Sequence, residues 1–367
     1  MTSIAWSTHE VRNAHRNKVC RVYCPSPARI CTRSGRAGEL WNLVVLTPHL
    51  SRLQIFCLDW NCTGTQLATG SGDQSVKVWK LDAASNRSLS LESDLRSHGD
   101  SVMYLRFHPS EPDRLASTSG REKSLKFWDS RTSKNTATLS TPGTCAFESI
   151  VLQRPVSPPP ASHSSHSGNN LYFAWSTDGN YIVVGNQRDV VCTVDVRKMS
   201  IVNQVEYKYQ VNEPAFLRDR LLLGTGKHGS ALEVLSWPGM ETLSMHVGHT
   251  ASVLSVSVDP TETLVATGGA DALVCIWDAS GEALVNIRSL YHMDNPIRAI
   301  AFSHDSRYMS MSGDDTCVYI EDLVSGVSQT IDLNLGVEET SWNPRRHVMA
   351  YPQNDAISLM FREKESA

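Results

Sequence analysis

The chain has 367 residues, a formal net charge of -4 at pH 7 and 41% hydrophobic residues. This composition is typical of a globular protein, and the absence of a basic excess argues against tight, independent binding to nucleic acid. The nine cysteines lack zinc-site spacing, no apolar run approaches the ~20 residues of a membrane span, and residues 1–12 lack a signal-peptide core, so we expect an intracellular protein with reduced thiols and no metal.

The first sequence repeat is interrupted. Residues 15–19 resemble the start of a propeller blade, but the pattern resumes only at Phe56. Joining Val19 to Phe56 gives His-x-x-x-Val-x-x-Leu-x-Trp, a form that residues 98–107 also have with Phe at the last position. Residues 20–55 are therefore an insertion inside what should be one strand, either a long excursion or translated intron sequence. A loop in the middle of an inner strand would break its ladder, which favours the second explanation.

Residues 67–79 complete the first repeat in the pattern of one propeller blade. Thr69, Asp73 and Trp79 stand at the spacing of a hydrogen-bonded relay whose first member is His15. In such a relay a carboxylate and a hydroxyl hold the imidazole from two sides, and an indole N–H joins the same network. We interpret these relays as structural fasteners of a blade and not as catalytic groups.

The second repeat begins at His98 and carries Trp128 near its end, with strands predicted at 115–119 and 124–129. Glu122 stands where the relay normally has aspartate, and the turn holds an extra residue. We therefore expect a weaker relay in this blade.

The third repeat contains a second insertion, residues 144–168, which is polar and rich in proline. Such a segment cannot pack a core, so we expect a disordered loop; a polyproline ligand or phosphorylation of Ser157 are the alternatives. His163 and His166 are too few for a metal site. Beyond the insertion the strand pattern resumes, with Val194 at the tryptophan position.

The fifth repeat, residues 248–278, is the best-formed copy. It opens with Gly-His, carries Trp-Asp at its end and alternates apolar residues in predicted strands. Its relay consists of His249, Thr267, Asp271 and Trp277.

Positions equivalent to the closing tryptophan recur about every 40 to 50 residues once the second insertion is removed, close to the length of one blade. These positions are Trp79, Trp128, Val194, Leu235, Trp277, Ile320 and Met360. Residues 1–367 are therefore predicted to form one all-β domain, a seven-bladed β-propeller with insertions at 20–55 and 144–168. We expect residues 3–7 to supply the outer strand of the last blade, because closure removes exposed sheet edges.

Several segments together resemble one family, the WD-repeat subunits of the THO complex. They are 98–102 with 108–113, 184–191, 210–213, 269–274 with 276–278, and 302–305. The sequences Gly-Asn-x-x-Asp-Val-Val and Ala-Asp-Ala-Leu-Val, in this order, carry most of the specificity, and both insertions depart from the family's pattern.

This resemblance implies a WD-repeat propeller that serves as a nuclear, non-enzymatic scaffold and couples transcription to mRNA export. It implies other THO complex subunits as partners and, indirectly, an RNA helicase and the nascent mRNP. The sequence itself predicts no cofactor and no membrane contact, and the lack of a basic excess leaves direct nucleic-acid binding weak at most.

Polar and charged residues in the turns between strands are the candidate contacts to protein partners. They are Asp100, Arg121, Lys123, Arg188, Asp189, His228, His292, Asp294 and Asp315. The alternative for each is a merely solvated turn residue.

Two other classes of function remain open. Residues 128–131, Trp-Asp-Ser-Arg, match the signature of WD-repeat substrate receptors of cullin-RING ubiquitin ligases, with a weaker echo at 194–197. Arg131 would pair with an adaptor carboxylate, unless it is an ordinary loop cation. An enzyme is disfavoured, because we find only Asp59 as a carboxylate within an inner strand, and the sequence has no Gly-x-Ser-x-Gly, phosphate-loop or His-Glu-x-x-His motif.

Overall fold

The computed structural model describes residues 30–32, 41–46, 53–82, 88–119, 122, 124–140, 172–186, 188–226, 231–333 and 335–362. All regular elements in these ranges are β-strands, and they form seven antiparallel sheets. Each sheet is one blade of a propeller. The predicted fold class, an all-β seven-bladed propeller, is therefore confirmed.

Seven inner strands surround the axis of the molecule. They are β3 (Ile55–Trp60), β7 (Val102–Phe107), β11 (Tyr172–Trp175), β15 (Val211–Leu217), β19 (Val253–Val258), β23 (Ile297–Phe302) and β27 (Ser341–Trp342). Each inner strand contacts the inner strand of the next blade, and β27 also contacts β3. The sheets therefore close into a ring, and we number the blades from one at β3 to seven at β27.

Two further strands of each blade are almost continuously buried. The second strands are β4 (Gln66–Ser71), β8 (Arg114–Ser119), β12 (Tyr181–Gly185), β16 (Arg220–Thr225), β20 (Leu264–Gly269), β24 (Tyr308–Gly313) and β28 (Val348–Gln353). The third strands are β5 (Ser75–Leu81), β9 (Ser124–Asp129), β13 (Val190–Asp195), β17 (Ala231–Ser236), β21 (Val274–Asp278), β25 (Cys317–Asp322) and β29 (Ala356–Arg362). Because a blade is covered by a neighbour on each side, both faces of these strands pack away from water.

The outer strands are more exposed. They are β6 (Leu89–Arg96), β10 (Lys134–Ser140), β14 (Ser200–Glu206), β18 (Thr242–Val247), β22 (Val285–Leu290), β26 (Val327–Asp332) and, in blade seven, β2 (Trp41–Leu46). A further short strand, β1 (Ile30–Thr32), pairs with β26. Several outer strands alternate between half-buried and exposed residues, as expected where one face packs on a neighbouring blade and the other meets solvent.

The core lies in the seams between blades. The buried apolar side chains of the described residues form seven clusters, each of which joins two adjacent blades. Small residues allow this close approach. A Cβ placed on Gly70 would lie 2.7 Å from Cγ1 of Val102 in the next blade, and one on Gly268 would lie 2.6 Å from Cγ2 of Ile297. Glycine at these positions lets neighbouring sheets pack at native density.

The strand that completes the last blade differs from the one we expected. β2 pairs along its whole length with β29, from Trp41 opposite Arg362 to Leu46 opposite Ile357. Residues 3–7, which we predicted for this position, lie outside the described residues. Part of the segment 20–55 thus completes the last blade, which neither explanation of that insertion anticipated. Trp41 is buried among Tyr308 and Trp342, with ring centroids 5.2 and 5.3 Å away.

The ring has two faces. The start face, where the inner strands begin, carries turns 97–101, 188–189, 291–296 and 314–316. The end face, where the inner strands end, carries turns 61–65, 108–113, 176–180, 259–263, 303–307 and 343–347. Antiparallel strands alternate in direction, so the turn from second to third strand returns to the start face.

On the end face, the turns of adjacent blades are joined by hydrogen bonds at all seven seams. In order from the seam of blades one and two, the contacts are Asn61 Nδ2 to Pro112 O, His108 Nε2 with Gly179 O, Thr177 Oγ1 to Arg218 O, Arg218 to Glu262 O, Ser306 Oγ to Asp259 Oδ2, His347 Nε2 with Asp305 Oδ2, and Asn343 Nδ2 to Gly64 O. We call these seven contacts the end-face ring.

The second insertion, with Ser157, His163 and His166, lies outside the described residues, and the described part of blade three begins at Tyr172. None of the described segments is a helix long and apolar enough to cross a bilayer.

Candidate functional site

The relay of blade five has the contacts expected for its four members. His249 Nδ1 lies 3.1 Å from Asp271 Oδ1, and His249 Nε2 lies 2.8 Å from Thr267 Oγ1. The indole N–H of Trp277 donates to the same hydroxyl at 2.9 Å. The other oxygen of Asp271 accepts the backbone N–H of Thr250 at 2.7 Å. The relay thus ties the start-face turn before β19 to β20 and β21.

Blade two forms a relay with the same set of contacts, and the weaker strength that we expected for it stays a prediction. His98 Nδ1 lies 2.7 Å from Glu122 Oε2, and His98 Nε2 lies 2.7 Å from Ser117 Oγ, which also accepts from Trp128 Nε1 at 2.8 Å. Glutamate is one methylene longer than the aspartate that fills this role in blade five. Ser117, which sequence reasoning missed, supplies the hydroxyl that threonine supplies in blade five.

The environment of Glu122 favours its charged form. Partial burial opposes ionisation, but the backbone N–H of Gly99, the His98 ring and the Lys126 ammonium all donate to the carboxylate, and together they lower the pKa of Glu122 to about 2. Burial in turn lowers the pKa of His98. The pair therefore holds its geometry near neutral pH through a carboxylate and a buried imidazole.

Only part of the relay of blade one lies within the described residues. Trp79 Nε1 donates to Thr69 Oγ1 at 2.9 Å, and Asp73 accepts from Lys77 Nζ at 2.6 Å. His15, the predicted first member, lies outside the described residues. In blades two and five, each relay side chain has its polar atoms engaged within its own blade, as suits a structural role.

Among the candidate contact residues, those of blade six are tied into their own turns. Asp315 accepts the backbone N–H of Asp294 at 2.8 Å and the side-chain amide of Asn295 at 2.6 Å. Asp315 thus does in blade six what Asp271 does in blade five. His292 stacks on Tyr319, with its Nε2 3.3 Å from a carboxylate oxygen of Glu321. The Asp294 side chain is exposed on the start face.

The remaining described candidates also lie on the start face. Arg188 is exposed, whereas Asp189 accepts the backbone N–H of Val211 at 3.0 Å and adopts a φ of 59°. Asp100 is half-buried. The structure therefore leaves Arg188 and Asp294 as the described candidates with the most exposed side chains. Arg121, Lys123 and His228 lie outside the described residues.

A charged cluster near the axis was missed by sequence reasoning. Arg106, on β7, lies 3.0 Å from Glu339 and 3.6 Å from Glu213, measured from the same guanidinium nitrogen. That nitrogen also donates to the Tyr104 hydroxyl at 2.6 Å, and Tyr104 donates to Glu213 at 2.6 Å. The cluster links blades two, four and seven across the middle of the ring. It connects residues that are far apart in the chain.

Burial shifts the pKa values of carboxyl groups in and near this cluster. Burial raises the pKa of Glu339 to about 8, although the Arg106 charge opposes the shift. Burial likewise raises the pKa of Asp59, which accepts the backbone N–H of Phe107 at 2.8 Å. Glu213 lies on the inner strand β15, so the expectation that Asp59 is the only inner-strand carboxylate was wrong. The signal in the sequence was a charge at Arg106 among apolar residues of a predicted inner strand.

The outer strands of blades four and five expose apolar side chains. Leu243 and Val247 on β18 are 55% and 67% exposed, and Val285 and Ile287 on β22 are 57% and 56% exposed. We call these four residues the apolar belt. Isolated exposed apolar residues are common, but a concentration on two successive blades is a feature of surfaces that bind other proteins.

Arg131, the candidate arginine of the Trp-Asp-Ser-Arg sequence, is 75% exposed in its side chain, with its guanidinium 3.7 Å from Asp129. The equivalent Arg197 is more engaged. It lies 3.2 Å from Asp195 and also donates to the Tyr181 hydroxyl at 3.0 Å.

Comparisons with known proteins agree with the fold. Four segments match the family model for the WD domain, G-beta repeat: residues 41–80, 89–129, 240–278 and 285–320. The chain is 29% identical to THO complex subunit 3 of Arabidopsis thaliana over 305 residues, which cover 82% of this chain and 87% of that protein. It is 24% identical to WD repeat-containing protein AAC3 of Dictyostelium discoideum over 80% of this chain and 60% of that protein.

A third similar protein has a name that refers to pre-mRNA processing. Pre-mRNA-processing factor 19 of Oryza sativa subsp. japonica is 24% identical over 72% of this chain and 45% of its own length. The chain is thus a seven-bladed β-propeller in which four segments match the WD repeat, and it resembles THO complex subunit 3 along most of its length.

Proposed function

We propose that the protein is a non-enzymatic scaffold subunit of a THO complex and couples transcription to mRNA export in the nucleus. Its direct partners are the other THO subunits, and it reaches an RNA helicase and the nascent mRNP through them. The observation that carries the proposal is the similarity to THO complex subunit 3, which covers 82% of the chain.

The chemistry of the surface supports protein partners. The apolar belt offers side chains of the kind that form the centre of protein interfaces, and Arg188 and Asp294 offer charges suited to a rim. A net charge of -4 gives no general attraction to RNA, so contact with the mRNP is expected to be indirect. The described relay groups are engaged within the fold, which supports a structural role for them.

The experiment is purification of the tagged protein from nuclear extract, followed by identification of the bound proteins. The wild type is compared with a belt variant, Leu243→Ser with Val285→Ser, and a start-face variant, Arg188→Ala with Asp294→Ala. Val202→Ser serves as the matched control, because Val202 is an exposed apolar residue (48%) on the outer strand β14 of another blade.

We expect the wild type and the control to retain THO subunits, and at least one of the two surface variants to lose them several-fold while remaining folded. Wild-type protein that retains no THO subunit would overturn the proposed function. If both variants retain THO subunits, these two surfaces are not the binding sites. The assignment of the protein to a THO complex is not affected by that result.

A substrate receptor of a cullin-RING ubiquitin ligase is the second candidate function. The exposed guanidinium of Arg131 favours it, because solvent, and therefore an adaptor carboxylate, can reach this group beside its ion pair with Asp129. The test is Arg131→Ala, with Arg197→Ala as the matched control. Loss of a cullin adaptor from the purified complex in the first variant alone would support the receptor, whereas absence of any adaptor from wild-type preparations would exclude it.

A further inference from the structure

Two end-face turns of neighbouring blades bring two histidines and an aspartate together. His304 and Asp305 follow the inner strand β23 in blade six, and His347 precedes β28 in blade seven. One possible ligand atom from each residue lies within 4.8 Å of the others. This cluster is the blade six to blade seven member of the end-face ring, and it is separate from the relays and from the apolar belt.

The contacts within the cluster are close. Nε2 of His347 lies 2.9 Å from Oδ2 of Asp305, and the rings of His304 and His347 have centroids 4.5 Å apart. Two imidazoles held this near each other repel when both are protonated, and they are well placed to share one cation when both are neutral.

One nitrogen of the cluster has no hydrogen-bond partner. Nδ1 of His304 is buried and makes no hydrogen bond within the structure. A buried imidazole nitrogen without a partner costs free energy, and such atoms call for an explanation in terms of an ion, a water molecule or strain. A bound cation at this position would satisfy the nitrogen.

The carboxylate is held in place by its own turn. Oδ1 of Asp305 accepts from Ser303 Oγ at 2.6 Å and from the backbone N–H of Arg307 at 3.2 Å, which leaves Oδ2 directed at His347. The guanidinium of Arg307 lies 3.0 Å from Asp322. Outer hydrogen bonds that fix a ligating carboxylate are a regular property of metal sites.

We propose that His304, Asp305 and His347 form a divalent transition-metal site that bridges blades six and seven on the end face. Two imidazole nitrogens and one carboxylate oxygen suit Zn²⁺ and its neighbours in the first transition row, whereas Ca²⁺ and Mg²⁺ prefer all-oxygen sites. Three protein ligands leave a coordination position for water or for a group from a partner. The ion would join the two turns more firmly than the His347 to Asp305 hydrogen bond alone.

The experiment is calorimetric titration of the full-length protein, free of any histidine tag, with Zn²⁺ alone as the probe. The test variant is His347→Gln, because a glutamine amide can keep a hydrogen bond to Asp305 while removing the imidazole ligand. His304→Ala tests the second ligand. His246→Gln is the control, since His246 is a half-buried histidine on β18, away from the cluster.

We expect the wild type and His246→Gln to bind one Zn²⁺ per chain with equal affinity, and His347→Gln and His304→Ala to bind at least tenfold more weakly. Zn²⁺ should also raise the unfolding temperature of the wild type and of the control more than that of the two ligand variants. Ca²⁺ and Mg²⁺ should leave the unfolding temperatures unchanged.

Equal Zn²⁺ affinity in the wild type and His347→Gln would overturn the proposal, as would the absence of Zn²⁺ binding to the wild type. Unfolding curves recorded without metal identify any variant that fails to fold. If His304→Ala fails in this way, the conservative His347→Gln variant still decides the result.

Discussion

At the scale of single residues, the relays show how a blade secures its polar edge. In blades two and five a histidine is held between a carboxylate and a hydroxyl, and the tryptophan of the third strand donates to the same hydroxyl. The identities vary while the contacts persist: Glu122 replaces aspartate and Ser117 replaces threonine. The geometry of donors and acceptors, more than the residue type, is what the blade requires.

Replacement of Glu122 by glutamine should destabilise the protein in a pH-dependent way. The folded carboxyl has its pKa lowered to about 2 from 4.5, so its stabilising contribution is complete above pH ~4.5 and is lost as the pH falls towards 2. We expect Glu122→Gln to lower the free energy of unfolding by about 1 to 3 kcal/mol at pH 7 and by clearly less near pH 3.5. Urea denaturation at both pH values measures this.

The exposed Glu282 provides the control for that experiment, because Glu282→Gln should change stability little at either pH. A destabilisation by Glu122→Gln that stays constant from pH 7 to pH 3.5 would contradict the role given to the charge.

At the scale of elements, the second strand of each blade sets how closely its neighbour can approach. Gly268 on β20 faces Ile297 and Ile300 of the next blade, and a Cβ at this position would lie 2.6 and 3.0 Å from their side chains. A methyl group does not fit without displacing a strand of blade six. The packing of this seam therefore depends on the absence of a side chain at Gly268 as well as on the apolar side chains that fill the seam.

Gly268→Ala should destabilise the protein by about 1 to 3 kcal/mol through overpacking of this seam. The double variant Gly268→Ala with Ile297→Ala should lose less stability than the sum of the two single variants, because the smaller neighbour makes room for the methyl group. Gly281→Ala is the control, since the nearest atom to a Cβ there is 4.0 Å away. Strict additivity of the two seam changes would argue against the steric explanation.

The elements also show which features the sequence could predict. Number and order of the blades follow from local alternation of apolar residues and from recurring turns, and the structure confirms the seven-bladed fold. The outer strand of the last blade was misplaced, because any apolar segment near the amino-terminal end satisfies the same local pattern. The charged cluster at the axis was missed, because Arg106, Glu213 and Glu339 meet only once blades two, four and seven are arranged in space.

At the scale of the whole molecule, the Arg106 cluster joins three blades that are not successive in the sequence. Its carboxyl groups compete for one guanidinium in a partly desolvated space, and burial raises the pKa of Glu339 to about 8. A raised folded-state pKa stabilises the protein fully below the unfolded value of ~4.5, and this contribution is lost as the pH rises through 8. The protein should therefore lose stability progressively as the pH rises from about 5 to about 8.

Replacement of Glu339 by glutamine should remove the loss of stability that Glu339 causes as the pH rises. We expect the variant and the wild type to have similar free energies of unfolding near pH 5, and the variant to be more stable by about 1 to 3 kcal/mol at pH 8.5. Denaturant titrations at the two pH values measure the difference. Glu338→Gln is the control, because Glu338 is the exposed neighbour of Glu339. If the free energy of unfolding of Glu339→Gln depends on pH as it does in the wild type, another group causes the loss of stability at high pH.

The end-face ring has a mechanical consequence. Its seven contacts follow one another around the closed ring of blades. Widening of one seam would therefore strain the hydrogen bonds at the neighbouring seams. A closed ring of this kind keeps its circumference nearly constant. It therefore also keeps the distances between the surface residues of the different blades nearly constant. We therefore expect association with a protein partner to proceed by docking of preformed faces, without a slow rearrangement of the propeller.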